Sequence, residues 1–288
     1  MIARLLSVFF WLLHWLPFPL LRLKGAVLGT LLYPLMARRR RIGLRNLELC
    51  FPDWSDAERR SVLRRHFREL ASGFLCYSIL LYGSERRIDR LVRREGVEHF
   101  ENAAAKGPVI ILLPHFLGLD FIAIRHSMSY SGASMYSAQR VGAFDQLLLR
   151  ARTRFKNPVL IKRSEGIRPC VKALRDGYGF VYLPDQDLGP RESIFVPFFG
   201  QSAATIPALT RLTLLAKARV VPMVSEMTWT GFVQRYYPEW DNFPTGDIYT
   251  DTARMNTFIE DRVREMPSQY YWLHRRFKTR PEGEPSLY

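Results

Sequence analysis

The run Val109-Ile-Ile-Leu-Leu113 constrains the fold more than any other stretch of this chain. Five consecutive apolar residues have no face to turn to water, so the strand they form has to be covered on both sides. Strands of that kind belong to parallel sheets lying between layers of helix, because each parallel connection crosses over the sheet and usually carries a helix with it. The segments that follow keep this rhythm. Periodicity predicts a helix over Phe121–Ser129, a strand over Ala133–Ser137, a helix over Phe144–Phe155 and a strand over Val159–Ile161. A helix over Ile167–Asp176, a strand over Phe180–Leu183, a helix over Thr205–Lys217 and a strand over Arg219–Val224 complete the series. The expected architecture is α/β, with a mostly parallel central sheet flanked by helices. At 288 residues and 48% apolar, the chain has enough material for one such domain with a full core.

Ahead of this core lie two unusual segments. Leu5 to Leu21 is almost wholly apolar, and after Arg22 and Lys24 a second apolar run extends from Gly25 to Ala37. Arg38 to Arg41 follow as an unbroken basic block. The first run is shorter than the roughly 20 residues of a straight transmembrane helix and holds Pro17 and Pro19. No small-residue cleavage site follows it, so a retained membrane-anchoring helical segment is expected rather than a removed signal peptide. Trp11 and Trp15 suit the membrane interface, and the arginine block suits anionic headgroups on the cytoplasmic side. Spanning the bilayer and lying on it both fit, as does a buried helical hairpin followed by a solvated charge run. The expected division is residues 1–41 as anchor and polybasic segment, 42–281 as the main domain and 282–288 as a flexible tail. Ser55-Asp-Ala-Glu58 has the form of a capping box and predicts a long helix to about Tyr82, with Arg86–Arg94 as a further basic helix.

The net charge of +15 calls for an anionic partner: nucleic acid, anionic lipid or an acidic protein. The apolar N-terminus favours lipid and argues against nucleic acid. The three cysteines, Cys50, Cys76 and Cys170, are widely spaced, so neither a disulfide framework nor a zinc site is expected. The chain has no Gly-x-Ser-x-Gly elbow, no phosphate-binding glycine loop of either common type and no His-Glu-x-x-His. A serine nucleophile, a nucleotide cofactor and a catalytic metal are therefore not indicated; no cofactor and no metal ligand is expected.

What remains is acid–base chemistry. In open α/β sheets, sites form beyond the carboxyl ends of the strands, and the run from Val109 ends at His115. Asp120 follows five residues later, and a helix starting near Gly118 brings it back towards the imidazole. A carboxylate beside an imidazole fixes its tautomer and raises its basicity, as a general base requires. Asp185, in Leu183-Pro-Asp-Gln-Asp-Leu-Gly-Pro190, falls at a second predicted strand end, where a turn role is the ordinary alternative. One base of this kind, with cations or backbone donors for the oxyanion, is sufficient for a hydroxyl to attack a thioester.

His115-x4-Asp120 resembles the His-x4-acid motif of the membrane glycerolipid and lipid A acyltransferases. Further segments narrow the resemblance to the late (secondary) acyltransferases of lipid A biosynthesis, the lauroyl/myristoyl transferases. These are Asn46-Leu-Glu-Leu-Cys-Phe-Pro52, the Asp185–Pro190 block, Ile194-Phe-Val-Pro-Phe-Phe-Gly200 and Tyr271-Trp-Leu-His-Arg-Arg-Phe-Lys-Thr-Arg-Pro281. The resemblance implies a glycerolipid acyltransferase-like fold at the cytoplasmic face of the bacterial inner membrane. It implies an acyl chain moved from acyl carrier protein (ACP) to a hydroxyl of a Kdo-bearing lipid A precursor. His115 matches the general base and Asp120 its partner, where many members have Glu. Arg152 and Arg154 match the family's Arg-x-Arg segment; with Arg163 and Asp185 they are implied to bind substrate or support the transition state, or else to be a basic helix face. His274, Arg275, Arg276 and Lys278 match the C-terminal block, with structural support of the site preferred to phosphate contact. A relative acting on another glycolipid, an aryl polyene or an amino lipid is the neighbouring possibility. A non-catalytic basic protein of the membrane surface is the alternative from another class.

Overall fold

A computed structural model describes residues 2–136, 142–156 and 158–288. In chain order the elements are α1 (Ile2–Leu13), α2 (Phe18–Leu35), α3 (Ala37–Cys50), α4 (Asp56–Tyr82), α5 (Glu85–Leu91), β1 (Val92–Glu95), α6 (Val97–Lys106), β2 (Val109–Leu112), α7 (Leu119–Ser129) and β3 (Gly132–Tyr136). There follow α8 (Ala143–Arg152), β4 (Val159–Lys162), α9 (Arg168–Arg175), β5 (Gly179–Tyr182), β6 (Ile194–Phe198), β7 (Gln201–Thr205), α10 (Ala208–Ala216), β8 (Arg219–Met227), β9 (Phe232–Tyr236) and α11 (Ile248–Glu265).

β2 lies at the centre of a seven-stranded sheet ordered β1-β9-β8-β2-β5-β3-β4. The block from β8 to β4 is wholly parallel. β9 runs antiparallel to β8, and β1 pairs parallel with β9, so the two strands at that edge are reversed. The central run behaves as its composition requires. Ile110 and Leu112 enter one hydrophobic core and Val109, Ile111 and Leu113 the other, one on each face of the sheet, and all five are buried. A separate hairpin joins β6 to β7 through Phe199 and Gly200, both at positive φ, as a two-residue turn matching the strand twist demands.

The predicted core elements appear within a few residues of their expected bounds; Ser137, expected in a strand, lies outside the described residues. Two readings are corrected. Arg86–Arg94 is not one helix: α5 stops at Leu91 and Val92–Glu95 becomes an edge strand, because Val92 is buried opposite Phe232 and strand pairing outweighs local helix propensity. Thr205 closes β7 opposite Ile194, and the helix after it begins only at Ala208, beyond Pro207. At the C-terminal end, residues 282–286 are exposed while Leu287 and Tyr288 meet the body. Arg45 Nε donates to the Leu287 carbonyl at 2.8 Å, the Phe277 N–H donates to Tyr288 Oη at 3.2 Å, and that hydroxyl is hydrogen-bonded to Asn46 Oδ1.

The capping box at Ser55 and Glu58 is formed and starts the 27-residue helix α4. The N-terminal helices pack against α4. Gly25 and Gly29 of α2 touch its backbone so closely that a Cβ at either position would overlap Ser72 Cα or the Phe67 carbonyl. The expected boundary between residues 41 and 42 falls inside α3. Among the described residues no single helix is long and apolar enough to cross a membrane; α2 and α3 reach that composition only together, across a 93° bend.

Candidate active site

The site grows out of strand register. Leu112 of β2 stands opposite Tyr182 of β5, 70 residues away. The ladder continues one step past the strands, with the Leu113 N–H donating to the Tyr182 carbonyl at 2.9 Å. Pro114 has no N–H, and there the regular ladder stops. The same 70-residue offset sets His115 against Asp185, and side chain replaces backbone as acceptor. The His115 N–H donates to Asp185 Oδ2 at 2.9 Å, and its ring Nδ1 lies 2.6 Å from Asp185 Oδ1.

The imidazole's carboxylate partner is therefore Asp185 and not Asp120. Gly118 turns the chain through positive φ (+88°) into α7, where a Cβ would strike the Phe232 ring, and this turn carries Asp120 to a different set of partners. Arg152 Nε donates to Asp120 Oδ1 at 2.7 Å, and Tyr77 Oη donates to Oδ2.

Burial works against a charged Asp185. The His115 imidazole and its hydrogen bonds, with Arg276 beyond, outweigh burial and hold the carboxyl below the ordinary range. An ionised carboxylate only accepts, so Nδ1 carries the proton and the Nε2 lone pair is left as the ring's basic site. His115 is about one-fifth exposed while Asp185 is fully buried, so the ring is reachable and its partner is not.

The loop carrying His115 is clamped from the C-terminal side. The Leu117 N–H donates to the Gln269 carbonyl at 2.8 Å, and the Tyr271 N–H donates to the His115 carbonyl at 3.0 Å. Gln269 is itself held by the backbone N–H and carbonyl of Met227, and Asn46 Nδ2 donates to the carbonyls of Trp272 and His274. A small cavity opens beside the ring, lined among others by Tyr270, His274 and Arg276. His274 accepts the Asp187 N–H on Nε2 at 2.9 Å. Burial, then the charge of Arg276, hold it at about 4, so it is neutral support. Arg276 is buried and donates to the Ala204 carbonyl and Thr205 Oγ1, both at 2.8 Å.

The other arginines separate by partner. Arg154 donates to the carbonyls of Leu80 and Gly83 and closes the C-terminal end of α4. Arg163 faces Glu192 at 3.7 Å, and Arg275 lies over the Tyr288 ring. Of the Arg-x-Arg pair, only Arg152 joins the acidic residue of the His-x4-Asp motif. Sequence reasoning missed Tyr77 and Gln269. A tyrosine near the end of a long helix and a lone glutamine just past another carry no local signal; only the packing of α4 and of the C-terminal strap on the sheet brings them to Asp120 and to the His115 loop.

A histidine paired with a buried carboxylate stands at the carboxyl end of a central parallel strand, and the relatives of this chain are acyltransferases. The model of the family described as bacterial lipid A biosynthesis acyltransferase matches residues 1–279. The chain belongs to that family. It is 36% identical over 282 residues to a lipid A biosynthesis lauroyltransferase of Escherichia coli, covering 96% of this chain and 92% of that one. It is 35% identical over 255 residues to a lipid A biosynthesis myristoyltransferase of the same organism, covering 86% and 78%. The crystal structure of a 1-acyl-sn-glycerophosphate acyltransferase from Thermotoga maritima superposes with a TM-score of 0.40 at 16% identity, over 86% of this chain and 99% of that one, too distant to bear on the site.

Proposed function

We propose that this acyltransferase moves a fatty acyl chain from acyl-ACP to a hydroxyl of a Kdo-bearing lipid A precursor at the cytoplasmic face of the inner membrane. The observation that carries the reading is the His115–Asp185 hydrogen bond at 2.6 Å, which leaves Nε2 as a base at a strand end. The acceptor hydroxyl gives its proton to Nε2 as its oxygen attacks the thioester carbonyl. A C–O bond forms and the carbonyl becomes an oxyanion. As the C–S bond breaks, the imidazolium returns the proton to the departing phosphopantetheine thiolate. Asp185 holds the ring in the productive tautomer and stabilises the imidazolium. Asp120 belongs to the Arg152 ion pair, whose guanidinium supports an anionic oxygen near the reacting carbonyl.

The outer faces of α1 and α2 support membrane contact. Trp15 and Leu35 are 70% and 77% exposed, and Leu12, Leu23, Val27 and Leu31 are exposed with them. An exposed apolar row beside a basic block fits helices lying in the interface, where anionic headgroups meet Arg38–Arg41. The basic surface also steers an acidic carrier protein and a phosphorylated acceptor towards the site. Purified His115→Ala protein, assayed with a ladder of acyl-ACP donors and a Kdo-lipid A precursor and read by mass spectrometry, is expected to lose transfer and keep its fold. Turnover near that of the unsubstituted protein would overturn the reading. Transfer by the unsubstituted protein to a different glycolipid or an amino lipid, and not to the lipid A precursor, would reassign the acceptor.

A further inference from the structure

We propose that Tyr77 is a positioning residue of the acyl-transfer site: through Asp120 it fixes the Arg152 guanidinium so that its Nη face is presented to an anionic oxygen of the substrates. The inference rests on the acyl-transfer reading and deepens it.

Three helices meet at one carboxylate. Tyr77 comes from near the C-terminal end of α4, Asp120 from the first turn of α7 and Arg152 from the last position of α8. Each oxygen of Asp120 has its own partner, Oδ1 the Arg152 Nε at 2.7 Å and Oδ2 the Tyr77 hydroxyl. Asp120 is only 4% exposed, and a buried carboxylate oxygen left without a donor is costly, so the arrangement depends on both. Burial and the neighbouring Asp120 push the Tyr77 phenol well above its ordinary range, which keeps it a donor. Its ring packs edge-on against Phe144, 5.4 Å between centroids, so α4 also locates α8 near its start.

A guanidinium has five N–H donors in one rigid plane. Arg152 spends the Nε donor on Asp120, and among the described residues its Nη atoms make no hydrogen bond. The side chain is 35% exposed. Tying Nε fixes the plane, and the Nη pair is left as an oriented fork for an anionic oxygen. That oxygen belongs to an acceptor phosphate, to the phosphodiester of the donor's phosphopantetheine arm, or to the developing oxyanion. All three need the plane that Asp120 and Tyr77 set.

The test is a double-mutant cycle on kcat/KM with Tyr77→Phe and Arg152→Gln, using acyl-ACP and a phosphorylated lipid A precursor. Tyr77→Phe removes one hydroxyl and keeps the ring contact with Phe144. It is expected to lower kcat/KM by roughly ten- to hundred-fold, and to add little further loss in the Arg152→Gln background. A rise in KM for the acceptor alone, a rise in KM for acyl-ACP alone, or a fall in kcat alone identifies which oxygen the fork receives. Placing 3-fluorotyrosine at position 77 keeps the donor and is expected to restore activity. The inference is overturned if Tyr77→Phe leaves kcat/KM within threefold, or lowers it equally in both backgrounds, as a purely structural role predicts. Full activity in Arg152→Gln instead sinks the place given to that arginine in the acyl-transfer reading, and Tyr77 falls with it.

Discussion

Replacing Asp185 by Asn keeps the side chain's shape and removes its charge, which makes it the sharpest probe of the dyad. In the structure one carboxylate oxygen takes the His115 ring N–H at 2.6 Å and the other takes the His115 backbone N–H at 2.9 Å. An asparagine has only one acceptor oxygen. If that oxygen keeps the backbone N–H, the amide NH2 faces Nδ1 and selects the tautomer with the proton on Nε2, where it blocks the base. If it keeps Nδ1, two N–H donors face each other at the backbone. The lost attraction for the imidazolium formed during transfer adds to this. Two unit charges about 4 Å apart at an effective dielectric of about 20 interact by ~4 kcal/mol, equivalent to about a thousandfold in rate. The expected result is a fall in kcat of roughly a thousandfold, with KM for acyl-ACP and acceptor little changed because neither contacts the buried Asp185. Steady-state kinetics on folded, monodisperse protein measure it. A kcat within tenfold of the unsubstituted enzyme, with His115→Ala inactive, would refute the assignment of Asp185 as the orienting carboxylate.

Three further outcomes are expected. His66 and His126, which are buried, and His274, which is half-buried, are held neutral, at about 4, about 3 and about 4, chiefly by desolvation. Each folded-state value lies below the unfolded one, so their contribution is complete above roughly pH 6.5 and lost as pH falls towards 4, by up to ~1.4 kcal/mol per pH unit per histidine; a urea midpoint unchanged between pH 7.5 and 5.5 would contradict this. Gly29→Ala forces a Cβ into the Phe67 carbonyl and is expected to cost about 1–3 kcal/mol in equilibrium unfolding, whereas Gly73→Ala, whose Cβ meets nothing within 4 Å, is expected to be neutral or stabilising. Replacing Trp11 and Trp15 together by Ser is expected to weaken partitioning onto anionic vesicles by at least about tenfold in a flotation assay without changing urea stability, since both rings are largely exposed; unaltered partitioning would show that this face does not meet the lipid.

The contrast between Asp120 and Asp185 shows how far the sequence reaches. The strand from Val109, the long helix after Ser55 and most of the later alternation follow from local pattern, because an apolar run or a capping box acts within its own segment. Edge strand β1 did not, since Val92–Glu95 is a strand only through its pairing with β9. The site divides in the same way. His115 is legible as a strand-end residue, and Asp185 is legible as another, but their pairing depends on the register that puts Leu112 opposite Tyr182, a fact shared by two distant segments. Asp120 stands close to His115 in sequence, and proximity along the chain suggested a bond between them. The left-handed turn at Gly118 and the converging ends of α4 and α8 assign it to Tyr77 and Arg152 instead. The two residues of the His-x4-Asp motif therefore have separate partners: His115 pairs with Asp185 at the end of the neighbouring strand, and Asp120 pairs with Arg152 and Tyr77. Substituting either aspartate is expected to impair transfer, but for separable reasons: loss of Asp185 acts through the tautomer of His115, and loss of Asp120 acts through the orientation of Arg152.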